Sequence, residues 1–161
     1  MEKRHTIAIT VEDQPGVLTR IAGLFSRRSF NIDTITVGKS EREGISKMII
    51  SVIGDDHDLE QIEKQINKLI DTIKVSEMPE KSAFIAELCM IKVAVSDKKI
   101  KDDIFSYASV YNAKIVGMTN KTMTMYIVGE PENIESYIRL MSQFGIKEIS
   151  RTGITAISKD W

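Results

Sequence analysis

The chain of 161 residues is 42% apolar and 28% charged, with a formal net charge of -1, which excludes a disordered tail and a membrane-embedded protein and fits an ordinary soluble domain or pair of domains. Its Lys and Arg residues divide evenly, 11 before residue 81 and 11 from there on, so no basic tract marks a nucleic-acid footprint. One cysteine, Cys89, allows no intrachain disulfide, and no apolar run approaches the 18 residues of a membrane span or opens the chain as a secretory leader, so a cytoplasmic location is expected.

Residues 5–11 place Ile7, Ile9 and Val11 on one face at a period of two, the pattern of a strand with one face on a core. Asp13, Pro15 and Gly16 interrupt it, and Val17, Leu18, Ile21, Leu24 and Phe25 follow at helical spacing. Residues 32–37 and 45–53 are rich in β-branched side chains and flank the polar, glycine-containing stretch 40–44, which predicts a hairpin. Asp55, Asp56 and Asp58 make an acidic helix start of the kind the macrodipole favours. A stripe of Leu59, Ile62, Ile66, Leu69 and Ile70 follows, and residues 72–75 close the half as a short fourth strand.

The same rhythm then returns. Residues 84–96 read as a long strand, and Ile100, Ile104, Phe105, Ala108 and Tyr111 as a helical stripe. Residues 113–118 and 122–128 flank Asn120 and Lys121 as a second hairpin, and Pro131 opens a helix carrying Ile134, Tyr137, Ile138 and Met141. Strand character reappears at 146–149 and at 153–157. The expected fold is α+β, two ferredoxin-like βαββαβ domains in tandem over residues 1–78 and 79–161, joined through the polar stretch 77–82. Helices on one face of each sheet leave the other face uncovered, and Ala8, Ile49 and Ile53 on such a face predict self-association.

The stretch from Asp13 to Val17, between the first strand and the first helix, is the most informative candidate site. Gly16 lets a ligand approach the main chain, and free amides at a helix start suit a carboxylate. Asn31, at the start of the second strand, brings both donor and acceptor groups, as an amino-acid ligand requires. From spacing alone the first feature reads first as a turn that simply starts a helix, and the second more often as a turn residue. Asp55 to Asp58 are read as helix capping rather than a metal site, because no Cys or His cluster stands at ligand spacing. His5 and His57 have no nucleophile near them in sequence, the methionines fall at core positions, and Arg27 and Arg28 read as a solvated face.

The segments PGVLTRIAGLFSRRSFNIDTITVG (15–38), GDDHDLEQIEKQINKLIDTIKVSEM (54–78) and KEISRTGITAIS (147–158) resemble the small, regulatory subunit of acetolactate synthase, also called acetohydroxyacid synthase. The first 75 residues alone resemble an ACT domain, an amino-acid-binding module found on many metabolic enzymes. The resemblance implies a non-catalytic regulatory subunit of branched-chain amino-acid biosynthesis. It would be a homodimer paired through its ACT domains, docking on a catalytic large subunit and conferring feedback inhibition by valine or a related amino acid. It implies effector contacts at Asp13, Gly16 and Val17 of one chain and at Asn31 and Ile32 of the other. Asp13 departs from the family pattern, where Asn is frequent; a carboxylate there attracts the effector's ammonium and repels its carboxylate. No cofactor is expected in this chain, and thiamine diphosphate, magnesium and FAD are expected in the catalytic partner.

A free-standing ACT-type amino-acid sensor acting on another enzyme is the nearest alternative. An RNA-recognition module has the same element order, but it needs aromatic residues on its central strands for base stacking, and residues 6–11 and 45–52 contain none. A small hydrolase of this topology would need a nucleophile that the sequence does not offer.

Overall fold

Alternation in the first strand becomes a two-sided ribbon, β1 (Lys3–Glu12), whose residues Ile7, Ile9 and Val11 enter a core built with α1 (Val17–Arg27) and α2 (Asp56–Ile66). The computed structural model describes residues 3–159. Helix α1 buries Val17, Ile21, Leu24 and Phe25, and α2 buries Leu59, Ile62 and Ile66, each set recurring at three or four residues. Strands β2 (Ile32–Lys39), β3 (Ile45–Gly54) and β4 (Thr72–Glu77) complete an antiparallel sheet of order β2-β3-β1-β4. Both helices share the core containing Ile7, Ile9, Met48 and Ile50, so they lie on one face of this sheet. Asp55 caps α2 through the N–H of Asp58 at 2.9 Å, and the Asp58 carboxylate accepts from the N–H of Asp55 at 3.2 Å, a reciprocal capping box.

A single 3-10 turn at Glu80–Ser82 leads to the second half: β5 (Ala83–Ala94), α3 (Lys98–Val110), β6 (Lys114–Met118), β7 (Thr122–Gly129), α4 (Pro131–Ser142) and β8 (Ile146–Ser158). Its sheet order, β6-β7-β5-β8, repeats that of the first, so both halves have the expected ferredoxin-like βαββαβ pattern. Cys89, Ile91, Val93, Met123, Met125, Ile127 and Tyr137 fill its core. The chain separates into two units, residues 3–84 with 154–159, and Ile85–Gly153. Among the described residues no helix is long and apolar enough to cross a membrane.

Three local expectations are revised. Helix α2 ends at Ile66, where turns from 67 to 71 take over. Leu69 still packs against the core from such a turn, but Ile70 is 93% exposed. The two strand segments expected at the C-terminus are one strand, β8, interrupted only by a left-handed Gly153 at φ 79. Ala8 and Ile49, expected on an open face, are 4% and 2% exposed, whereas Ile53 remains open at 54%. Ala8, Ile49 and Thr36 form one row across the helix-free face, and the Thr36 hydroxyl donates to the Ile154 carbonyl at 2.8 Å, so the returning end of β8 lies on that row.

Candidate functional site

The turn between β1 and α1 is held from the main chain. The Asp13 N–H donates to the Gly44 carbonyl at 2.8 Å, the Gln14 N–H to Glu12 at 2.9 Å, and the Val17 N–H to Gln14 at 3.3 Å. Gly16 follows with φ 85, a left-handed conformation that costs a side-chain-bearing residue about 1–2 kcal/mol. No side chain caps α1, whereas Asp55 closes α2 and Asp97 closes α3; α4 also lacks a side-chain cap but has Pro131 in its first turn, which removes a donor. The amides of Gly16, Leu18 and Thr19 take no hydrogen bond among the described residues. These residues stand at exposed positions at the positive end of the α1 dipole, a place that attracts a carboxylate.

Arg20 brings a guanidinium, paired with a carboxylate, to this corner. Its Nε donates to Asp71 Oδ2 at 2.8 Å, and its Nη2 forms an ion pair with the same oxygen at 2.7 Å. Asp71 is only 8% exposed, and its carbonyl accepts from the Glu12 N–H at 2.9 Å, so the fold fixes the acceptor before the guanidinium docks. The remaining arm, Nη1, lies 3.1 Å from where a Cβ on Gly16 would stand. A side chain at position 16 would therefore be strained in its backbone and would displace this arm. Arg20 and Asp71 were missed in the sequence, where nothing connects two residues 51 positions apart.

Asn31 and Ile32 lie elsewhere. Phe30 and Ile32 both pack against the core, which turns the intervening Asn31 outward to an exposed position. Ile32 aligns with Val52 and His5, while Lys39 aligns with Ser46 and Val11. The start of β2 is thus at the opposite end of the sheet from the Asp13–Val17 turn: its level at His5 is six strand positions, about 20 Å, from the Val11 level, and the turn begins beyond that. Within one chain the two groups of expected contact residues are not brought together. β2 is one of the two outer strands of this sheet, β4 being the other.

Other polar features are structural. His5, 2% exposed, has Nδ1 3.0 Å from Glu77 Oε1, while its Nε2 stands 3.8 Å from Asp56 Oδ1 without a hydrogen bond. Cys89 is fully buried in the second core, where burial pushes its thiol up and disfavours the nucleophilic thiolate. Among the described residues no group of three or more His, Cys, Asp or Glu side chains is placed to hold a metal ion.

Known proteins resemble the chain over its whole length. Residues 7–74 match the acetohydroxyacid synthase (AHAS) small subunit-like ACT domain, and residues 86–160 match the family described as the small subunit of acetolactate synthase. A relative from Mycolicibacterium smegmatis named acetolactate synthase small subunit is 40% identical over 96% of this chain and 91% of its own length. One from Aquifex aeolicus with the same name is 37% identical over 98% of this chain and 82% of its own. The crystal structure of the acetolactate synthase small subunit from Thermotoga maritima superposes with a TM-score of 0.90 at 37% identity, covering 99% of this chain and 98% of that one. With both halves matched in order and the fold shared end to end, the chain belongs to the family of acetolactate synthase small subunits.

Proposed function

We propose that this chain is the non-catalytic regulatory subunit of a cytoplasmic acetolactate synthase, that residues 1–78 sense a branched-chain amino acid, valine foremost, and that residues 79–161 complete the subunit that docks on the catalytic partner. The observation that carries the sensing role is the uncapped start of α1, where free amides and the spare arm of Arg20 meet beside Gly16. An effector carboxylate sits at these donors, and its ammonium faces Asp13.

The second half of the site comes from a second copy. Two β2 edges pairing antiparallel about a two-fold axis set the Ile32 end of one strand against the Lys39 end of the other. That end of the sheet carries the Asp13–Val17 turn, so Asn31 and Ile32 of the second copy reach the bound amino acid, and two equivalent sites lie at one seam. Effector binding then favours one arrangement of the pair. Its inhibitory strength is limited by its difference in affinity between the active and inhibited arrangements, typically about 1–3 kcal/mol.

Condensation of two pyruvates to 2-acetolactate belongs to the large subunit, which supplies thiamine diphosphate, magnesium and FAD; the role of this chain is to raise that activity and make it sensitive to the end product. The test is isothermal titration of the chain with valine, leucine and isoleucine, together with pyruvate turnover by the large subunit with and without this chain. Valine binding at sub-millimolar concentration, and its loss together with feedback inhibition in Gly16→Asp, are expected. Absence of binding at millimolar effector, with regulation unchanged in Gly16→Asp, refutes the reading.

A further inference from the structure

The start of β2 is irregular. Ile32 pairs with Val52 and Thr34 with Ser51, so Asp33 is an extra residue, a bulge in the edge strand. Ser51, on the helix-free face of β3 and 0% exposed, replaces the regular ladder there. Its Oγ accepts from the Thr34 N–H at 3.1 Å, lies 2.7 Å from the Thr34 hydroxyl, and donates to Asp33 Oδ2 at 3.3 Å. Arg4 of β1 holds the same Asp33 oxygen through Nη2 at 2.9 Å. The hydroxyl inventory closes: the Thr34 hydroxyl donates to Ser51, and Ser51 donates its own proton to Asp33.

A regular ladder between apolar residues would stabilise this edge at least as well as a buried polar cluster, because the net gain of a hydrogen bond is only about 0.5–1.5 kcal/mol and an unmade one is costly. The cluster's particular effect is geometric. It fixes the bulge immediately after Asn31 and Ile32, while the core holds Phe30 and Ile32 on the other side. Bulges beside functional sites serve to re-aim a side chain.

Resting on the effector site proposed above, we infer that Ser51, with Arg4 and Asp33, is a positioning residue for effector binding: it sets the direction in which Asn31 meets the amino acid held at Gly16 of a second copy. Ser51 touches no ligand itself. Loosening the bulge lets the free end of an edge strand fray and spreads Asn31 over several directions.

The test titrates valine into the full-length wild type and the Asn31→Ala, Ser51→Ala and Asp33→Asn variants, with turnover of the large subunit measured alongside without valine. Asp33→Asn keeps shape at a partly exposed position and covers the case in which Ser51→Ala does not fold. The expected result is a Kd about tenfold weaker in Ser51→Ala, equivalent to 1.4 kcal/mol, a smaller weakening in Asp33→Asn, and valine-free activation equal to wild type in both. Wild-type affinity in both variants, with binding lost in Asn31→Ala, overturns the positioning role and leaves the effector site standing. Equal binding by wild type and Asn31→Ala overturns the site reading and this inference with it. Parallel loss of affinity and of valine-free activation marks general damage and also overturns the inference.

Discussion

Replacing Arg151 by Met tests the electrostatics of the second unit. Arg151 donates through Nε and Nη2 to the two oxygens of Glu87, at 2.5 and 3.1 Å, and through Nη1 to Glu135 at 2.6 Å. The hydrogen bond to Glu87, and then the one to Glu135, raises its guanidinium further above an already high pKa. The Glu87 side chain is 2% exposed, so Arg151→Met strands a carboxylate away from water while nearly preserving the aliphatic stem. Breaking the pair costs about 3–5 kcal/mol.

Glu135, 48% exposed, adds little when it loses its partner. Thermal unfolding followed by circular dichroism at pH 7 reads the effect, with a fall of roughly 15 °C or more for a unit of this size. Glu87→Gln combined with Arg151→Met recovers much of it. A loss below about 1 kcal/mol refutes the assignment of a buried, charge-paired Glu87.

Two further outcomes follow from local geometry. Tyr137 is fully buried, its hydroxyl donates to Met125 Sδ at 3.1 Å, and burial, with a smaller effect of Cys89, pushes its phenol up to about 12. An absorbance titration therefore contains a tyrosine step near pH 12 that Tyr137→Phe removes, and because the unfolded chain releases that proton from about pH 10, stability falls between pH 10 and 12. The Asp58 N–H bonded to Asp55 holds the Asp55 carboxyl below the usual range. Asp55→Ala should lower the melting temperature of the first unit by a few degrees at pH 7. That gap closes as pH falls through the depressed value, because protonation removes the wild-type cap; a gap that persists at pH 2 contradicts the capping role.

Element order was legible because it is a local property. The period-two run of Ile7, Ile9 and Val11, the stripe of Val17, Ile21, Leu24 and Phe25, the acidic cap before α2 and Pro131 at the start of α4 each declare themselves within a dozen residues. Gly16 was legible for the same reason, since a glycine between a strand and a helix marks a left-handed turn, and Asn31 was placed at the start of β2. Segment resemblance further pointed to the family.

Tertiary structure alone decided which distant segments meet. It put the end of β8 on the row of Ala8, Ile49 and Thr36 through a contact spanning 118 positions, docked Arg20 on Asp71 beside Gly16, paired Arg151 with Glu87, and seated Ser51 under the bulge after Asn31. It also left Ile70 in solvent, although the stripe ran through it. Periodicity reports that a face is apolar or a side chain charged, but what covers that face or neutralises that charge is chosen by packing among residues dozens of positions apart. For this protein the sequence by itself determined two βαββαβ halves and a glycine turn at the start of α1, and the tertiary structure decided which charges surround that turn and that Asn31 stands exposed beside the Asp33 bulge.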